Sequence, residues 1–187
     1  VKDYLKAIDL LVEKNRGANY ANNGHVSKGS AKAMLAKVYL YQKDYANAKL
    51  LSGEVIASNE FKLLGGAELP GKTFGDLFLT TNNNNEESVF ALQWKTDGNY
   101  GSANNANTQF GTSATSNASY GGVFAPSQDI LSAYSSGDKR KRETFMTPGD
   151  TYAIKSAQGT TFTLPEGENA QGSGAAVKKY CIGKVTE

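Results

Sequence analysis

Residues 24–56 read GHVSKGSAKAMLAKVYLYQKDYANAKLLSGEVI, and this stretch decides the fold. Apolar residues recur at helical spacing on both sides of a short break at Gln42 and Lys43. Ser27 and Asp44 precede the two periodic runs and suit helix N-caps, because their side-chain oxygens accept from the first free backbone N–H groups. A break this short predicts that the two helices are antiparallel neighbours.

Each helix of this hairpin is expected to bury one face. The predicted buried residues are Ala31, Met34, Leu35, Val38 and Tyr41 in the first helix and Tyr45, Ala48, Leu51, Val55 and Ile56 in the second. The hairpin has the length of a tetratricopeptide repeat, about 34 residues, and such repeats need roughly three units for stability. The hairpin therefore predicts further helices beside it, of which residues 3–15 would form one.

The chain after residue 64 has a different composition, rich in Asn, Gly and Ser. We predict a tetratricopeptide-like scaffold over residues 1–64 and an irregular binding region over residues 65–187, in one continuous domain. The elements predicted in the irregular region are a helical turn at 74–78, a buried strand at 88–94, a helix opening at Pro126, and short strands at 144–147, 151–154, 161–164 and 177–182. The fold class is therefore mainly α, with a long irregular region that contains short β-strands.

Bulk composition excludes several classes of protein. The 187 residues carry 20 basic and 18 acidic side chains, and this balance does not predict a nucleic-acid surface. The single cysteine, Cys181, excludes an internal disulfide and a multi-cysteine metal site. No apolar run approaches the roughly 18 residues of a membrane-spanning helix. Because the chain opens within a helical pattern, without an initiator Met or a signal segment, we expect a fragment of a longer protein.

Residues that could carry catalysis are few. His25 is the lone histidine and precedes a helix cap in a polar loop, where a surface or capping role is expected. Glu86, Glu87 and Asp138 could be posed as the paired carboxylates of a glycoside hydrolase, although nothing in the sequence fixes their separation. We expect a solvated face for Glu86 and an ion pair between Asp138 and Arg140 instead. No catalytic residue is predicted.

No metal or cofactor is predicted either. Asparagines 82–85 offer amide oxygens to Ca²⁺, but calcium loops normally carry several carboxylates at alternating positions.

Aromatic residues in the Asn/Gly-rich region 97–123 and beside it suggest ligand binding. Sugar rings have apolar C–H faces that stack on aromatic rings, and hydroxyls that pair with amide groups. A 27-residue stretch without periodicity is also commonly functional or disordered. The candidate ligand-binding residues are Tyr100, Tyr120, Trp94, Asn99 and Phe110. For Trp94 and the neighbouring Phe124, a role as core anchors remains an equal alternative.

Four ordered segments resemble the SusD/RagB family of glycan-binding surface lipoproteins from Bacteroidetes-type bacteria. They are residues 24–41, 44–64, 85–94 and 126–145. They resemble the family's Thr-Lys-Gly-Ala-Ala helix, its following repeat helix, its Ile-Phe-x-Ile-Gln strand and its Pro-x-x-x-Leu…Asp-x-Arg segment. His25 departs from the family pattern, which has Arg there, and the family's lipidation cysteine is absent from this chain. The chain therefore resembles the middle portion of such a protein.

The resemblance implies a non-catalytic protein that binds oligosaccharides at the outer membrane. It further implies delivery of the glycan to a TonB-dependent, SusC-like outer-membrane transporter, and membrane attachment only through a lipid anchor that lies outside this chain. Neither a cofactor nor a nucleic-acid partner is implied. A tetratricopeptide-type protein–protein adaptor and a glycoside hydrolase are the alternatives that the residues leave open.

Overall fold

The computed structural model describes residues 1–14, 23–94, 109–112, 123–153, 161–167 and 170–179. The chain forms two compact units: residues 1–73 with 82–93, and residues 74–81 with 94–187. The first is called the helical unit and the second the strand unit below. Within the described ranges, no helix combines the length and apolar composition needed to cross a bilayer.

The helical unit contains α1 (Lys2–Leu10), α2 (Lys28–Tyr41) and α3 (Tyr45–Ala57). Both predicted N-caps are confirmed: Ser27 Oγ accepts from the Ser30 N–H at 3.2 Å, and Asp44 Oδ1 accepts from the Asn47 N–H at 3.1 Å. Each cap satisfies a backbone donor that has no partner within the helix.

Helix α1 ends five residues before the predicted end at residue 15, because Leu11 adopts an extended backbone (φ −85°, ψ 150°). Beyond the helix, the carbonyl of Val12 accepts from the Lys28 N–H at 3.0 Å. This contact with the start of α2 takes the place of a further helical turn.

The buried face of the α2–α3 hairpin is narrower than predicted. The buried side chains of the two helices include Ala31, Leu35, Ala36 and Ala48. The prediction was wrong for Tyr41, Tyr45 and Ile56, which are 78%, 63% and 77% exposed. Periodicity marks every apolar position on a helix, but burial also requires a neighbouring element at that position, and one hairpin covers only its own inner face.

The prediction of a buried strand at residues 88–94 was also wrong. The segment forms no strand, and Phe90, Leu92 and Trp94 are 51%, 70% and 50% exposed. Side chains hold it instead: Ser30 Oγ donates to the Val89 carbonyl at 2.6 Å. A strand requires a partner that completes the backbone ladder, and no described segment pairs with this one.

The strand unit is built from short elements. They are 3₁₀ helices at Phe74–Phe78, Thr80–Asn82 and Ala170–Gly172, helices α4 (Gln128–Ala133) and α5 (Arg140–Thr144), and strands β1 (Phe145–Met146), β2 (Thr151–Ala153), β3 (Thr161–Thr163) and β4 (Ala176–Val177). The 3₁₀ helix at residue 74 and strands β1, β2 and β3 agree with the predictions. The strand predicted at 177–182 was wrong for residues 178 and 179, because β4 ends at Val177, and residues 180–182 lie outside the described ranges. Helix α4 begins two residues after Pro126, with Ser127 as its N-cap.

Two antiparallel strand pairs contribute residues to the core of the strand unit. Strand β1 pairs with β4, and β2 pairs with β3 so that Tyr152 lies opposite Phe162. The buried cluster comprises Met146, Tyr152, Leu164 and Ala176, with Phe110, Ala125 and Phe162 packed against it. Two-stranded ribbons are marginal in isolation, so this shared cluster stabilises both pairs.

Gly29 in α2 is expected to resist substitution by alanine. Its N–H donates to Oε2 of Glu60 at 3.1 Å, and the Glu60 side chain is 2% exposed. An added Cβ would overlap that carboxylate and lie 2.8 Å from the ring of Phe61.

Gly29→Ala should therefore lower the free energy of unfolding, measured by urea titration, by about 1–3 kcal/mol, the usual cost of overpacking. Helix propensity alone predicts the opposite sign, a gain of about 1 kcal/mol. A more stable variant would contradict the contact argument. Gly53→Ala is the matched control, because the added Cβ at that α3 position meets nothing within 4 Å.

Candidate functional site

The predicted ligand-binding residues fall into two groups. Tyr100, Tyr120 and Asn99 lie outside the described residues, so their assignment stays a prediction. Trp94 and Phe110 are described. Trp94 leaves half of its surface accessible, at 50% exposure, and it therefore offers ring surface to a ligand.

Phe110 and Phe124 form an aromatic pair in the strand unit. Their ring centroids are 5.6 Å apart with planes tilted by 43°. The Phe124 N–H donates to the carbonyl of Gln109 at 3.2 Å, and this bond holds the two segments together. Phe110 packs against the buried cluster, whereas Phe124 is 51% exposed. Phe110 is thus the anchor of the pair, and Phe124 is the ring that solvent reaches.

A separate cleft in the strand unit was not predicted from the sequence. It encloses about 380 Å³, which lies within the range of roughly 300–1,000 Å³ typical of small-molecule sites. Its lining includes Tyr134, Asp138, Arg142, Asp150 and Tyr152. The sequence analysis predicted only that a helix opens at Pro126, and it assigned no binding role to Tyr134. The signal that it missed is the polar turn Ser-Ser-Gly-Asp directly after that tyrosine.

Two tyrosines of the cleft rest on the core of the strand unit. Tyr134 meets buried Phe145 edge to face, with centroids 5.9 Å apart and planes at 87°. Tyr152 is 3% exposed, and its hydroxyl accepts from the Thr147 N–H at 2.7 Å and donates to Asp150 Oδ2 at 3.0 Å. Burial raises the pKa of the Tyr152 phenol above its ordinary value, so the phenol stays protonated as a hydrogen-bond donor.

The carboxylates of the cleft have internal partners. The predicted pair of Asp138 with Arg140 is confirmed, with Arg140 Nη2 at 2.6 Å and Nε at 2.9 Å from the carboxylate. These hydrogen bonds lower the pKa of Asp138 and raise the pKa of Arg140. Asp150 accepts from Arg142 Nη1 at 3.3 Å, and the Arg142 guanidinium lies 4.9 Å from the centroid of the Tyr152 ring.

The carboxylates considered for catalysis have structural contacts. Glu86 accepts from Lys72 Nζ at 2.7 and 2.8 Å, and it is 5% exposed rather than on the solvated face that we predicted. Its negative charge is buried because the lysine compensates it. Glu87 Oε2 accepts from the Leu64 N–H at 2.9 Å. These contacts give both carboxylates roles in holding the backbone of the helical unit.

The remaining candidates for catalysis and metal binding are also explained locally. His25 is exposed, as predicted, beside a cavity of about 10 Å³, which is too small for a substrate. Asn84 and Gln93 exchange two amide hydrogen bonds, each of 2.9 Å. Across the described ranges, no three His, Cys, Asp or Glu side chains gather in a group that could hold a metal ion. Cys181 lies outside those ranges.

Comparison with known proteins gives matches in sequence and in structure. No family model matches the chain. A SusD-like protein of Bacteroides ovatus is 28% identical over 167 residues, which covers 82% of this chain and 28% of that protein. A protein crystallised with xylogluco-oligosaccharide has a TM-score of 0.76 at 24% identity, over 97% of this chain and 36% of its own.

A SusD-like protein of Bacteroides fragilis NCTC 9343 has a TM-score of 0.67 at 22% identity, over 95% of this chain and 40% of its own. The chain thus spans only 28–40% of the length of these proteins. The structural matches confirm the predicted fold class, a mainly helical tetratricopeptide-like architecture with short strands. In both sequence and fold, the chain is therefore similar to SusD-like proteins.

Proposed function

We propose that this chain is part of a non-catalytic protein that binds oligosaccharides at the bacterial cell surface. The similarity to a SusD-like protein carries the proposal, and one protein of similar fold was crystallised with xylogluco-oligosaccharide. In the proposal, the full-length protein is lipid-anchored in the outer membrane and passes its glycan to a TonB-dependent, SusC-like transporter.

Exposed aromatic rings support glycan binding within this chain. Trp94 and Phe124 border the Asn/Gly-rich region 97–123, and each is about half exposed, at 50% and 51%. Leaving such rings in water forgoes burial worth roughly 25 cal/mol per Å² of apolar surface. A ligand with apolar faces recovers part of that free energy. The C–H face of a sugar ring has this property, and the neighbouring asparagines can pair with its hydroxyls.

The contacts of the carboxylates support a binding protein rather than a glycoside hydrolase. Glycosidases require two carboxyl groups that face each other across the scissile bond, about 5–9.5 Å apart. Glu86 and Glu87 bind Lys72 and the backbone of Leu64 within the helical unit, and Asp138 binds Arg140 within the strand unit. Each of these carboxylates therefore already has a partner in a structural contact.

The proposed site can be tested with paired tyrosine variants. Tyr100→Ala with Tyr120→Ala should weaken binding of the recognised glycan about tenfold or more, because each ring contact contributes about 0.5–1.5 kcal/mol. A glycan array identifies the ligand, with xylogluco-oligosaccharides as the first probe, and isothermal titration calorimetry then measures the dissociation constant. Unchanged affinity in the double variant would remove these two residues from the site.

A matched control uses Tyr41→Ala with Tyr45→Ala. These residues are also exposed tyrosines, at 78% and 63%, but they lie on the helical hairpin. The control should bind glycan as the parent chain does.

The adaptor function remains the second candidate, because the exposed residues of the hairpin include Leu40 at 52% and Ile56 at 77%. Binding of a protein or peptide partner that is lost in the hairpin variant, but not in the loop variant, would favour it.

A further inference from the structure

The cleft of the strand unit combines a positioned tyrosine with an excess of positive charge. It is lined by residues between Leu131 and Tyr152 and is separate from the loop aromatics proposed above. Its volume of about 380 Å³ is sufficient for a small ligand. The class of ligand that fits this cleft depends on which lining groups already have hydrogen-bond or ion-pair partners.

Tyr134 offers an unused hydroxyl on a fixed ring. The ring is partly exposed and rests edge-on against buried Phe145, which limits its orientation. Within the described part of the chain its hydroxyl makes no hydrogen bond, in contrast to the hydroxyl of Tyr152, which makes two. Tyr134 can therefore present both an apolar ring and a donor–acceptor group to a bound molecule.

The acidic groups of the cleft are already paired. Asp138 accepts from the backbone N–H, Nε and Nη2 of Arg140, and Asp150 accepts from Arg142 and from the Tyr152 hydroxyl. These carboxylates have their charge balanced by neighbouring arginines. They leave little negative potential to attract a cation into the cleft.

The basic groups are not balanced in the same way. Lys139 and Lys141 line the cleft and are exposed, and neither forms an ion pair with a described residue. Two ammonium groups without carboxylate partners, beside carboxylates already paired with arginine, give the cleft a positive potential. Such a potential favours anionic ligands and raises their local concentration.

We propose that this cleft binds an acidic sugar, with the anionic group of the sugar on Lys139 and Lys141 and its ring against Tyr134. The proposal rests on the proposed glycan-binding function, but it adds a second site and a ligand class. The anionic group is a carboxylate, as in a uronic acid, or a sulfate ester. Both oxyanions accept charge-assisted hydrogen bonds from lysine.

The test compares acidic and neutral sugars on the same chain. Isothermal titration calorimetry with trigalacturonic acid should show binding that weakens as sodium chloride rises from 50 to 300 mM. Lys139→Gln with Lys141→Gln should weaken that binding about tenfold, the sum expected for two partly exposed ion pairs. A sulfated galactose disaccharide serves as the second arm and distinguishes sulfate from carboxylate recognition, while galactotriose is the neutral control.

Two further variants test the effect of net charge and the contribution of the Tyr134 hydroxyl. Lys2→Gln with Lys6→Gln removes the same net charge from exposed positions on α1 and should leave trigalacturonate binding unchanged. Tyr134→Phe keeps the ring and should weaken binding only by the contribution of the hydroxyl, about threefold to tenfold. If the Lys2/Lys6 double variant loses as much affinity as the Lys139/Lys141 double variant, the proposed site is overturned, because the loss then reflects net charge alone.

Failure of this proposal can be distinguished from failure of the proposed function. If neither acidic arm binds while the array ligand still binds in a manner dependent on Tyr100 and Tyr120, the acidic-sugar site is wrong and glycan binding stands. If acidic sugars bind in a manner dependent on Lys139 and Lys141 while those tyrosines have no effect, the cleft is confirmed and the loop site is wrong. If no sugar binds the chain, both proposals are wrong.

Discussion

Tyr152→Ala is expected to lower the free energy of unfolding of the strand unit by about 3–5 kcal/mol, the usual cost of truncating a buried aromatic residue. Tyr152 is 3% exposed and lies in the cluster with Met146, Leu164 and Ala176. Its ring also packs against Phe162, with centroids 6.1 Å apart. Truncation at Cβ therefore leaves a cavity between the strand pairs.

Polar contacts of Tyr152 add to that cost. The Arg142 guanidinium and the Lys178 ammonium lie 4.9 and 5.2 Å from the centroid of the ring, within the range of cation–π attraction. The hydroxyl satisfies the Thr147 N–H at 2.7 Å. Without the hydroxyl, the Thr147 N–H and the partly buried Asp150 carboxylate both lose their hydrogen bond to Tyr152.

Tyr152→Phe separates the ring from the hydroxyl. It keeps the packing and both cation–π contacts, so its expected cost is smaller, about 1–3 kcal/mol for the lost hydrogen bonds. Urea titration of the three chains, followed by near-ultraviolet circular dichroism, measures both differences. An alanine variant no less stable than the phenylalanine variant would show that the ring contributes little to the core.

Leu35→Ala is expected to lower the free energy of unfolding of the helical unit by about 2–5 kcal/mol. Leu35 is fully buried in α2, at 0% exposure. Alanine at this position loses the transfer free energy of the removed carbons and leaves a cavity that the neighbouring α3 can fill only in part.

A matched control for Leu35 lies on the same helix. Leu40 is 52% exposed, so Leu40→Ala makes the same chemical change with nearly the same effect on helix propensity, and it should cost about 1 kcal/mol or less. Urea titration followed by far-ultraviolet circular dichroism compares the two variants. Equal losses would mean that burial of Leu35 is not what stabilises α2.

Local features of the fold could be predicted from the sequence. The caps Ser27 and Asp44 follow from neighbouring residues, because a side-chain oxygen two or three residues from a free N–H reaches it without help from the rest of the chain. The short strands at Phe145 and Thr151 also follow from local composition and turn signals. Their positions agree with the structure to within about two residues, as expected for boundaries of this kind.

Features that depend on a partner could not be predicted. Residues 88–94 have the composition of a buried strand, yet a strand exists only where another segment completes its hydrogen bonds. Tyr41, Tyr45 and Ile56 have helical periodicity, yet their burial depends on which element packs beside them. The cleft was missed for the same reason, since Tyr134 and Tyr152 line one cleft only after Tyr134 packs against Phe145 and Tyr152 joins the buried cluster.

By itself, the sequence of residues 24–56 determined the helical hairpin, its caps and its turn, because these depend on interactions within a few residues. The ordered segments of the chain also pointed to the SusD-like family. Only the tertiary structure decided which apolar faces are buried, that Glu86 pairs with Lys72, and that Lys139, Lys141 and Tyr134 line one cleft. Those contacts join residues that lie far apart in the chain or on different elements, and the free energy that selects them comes from packing, which no local pattern records.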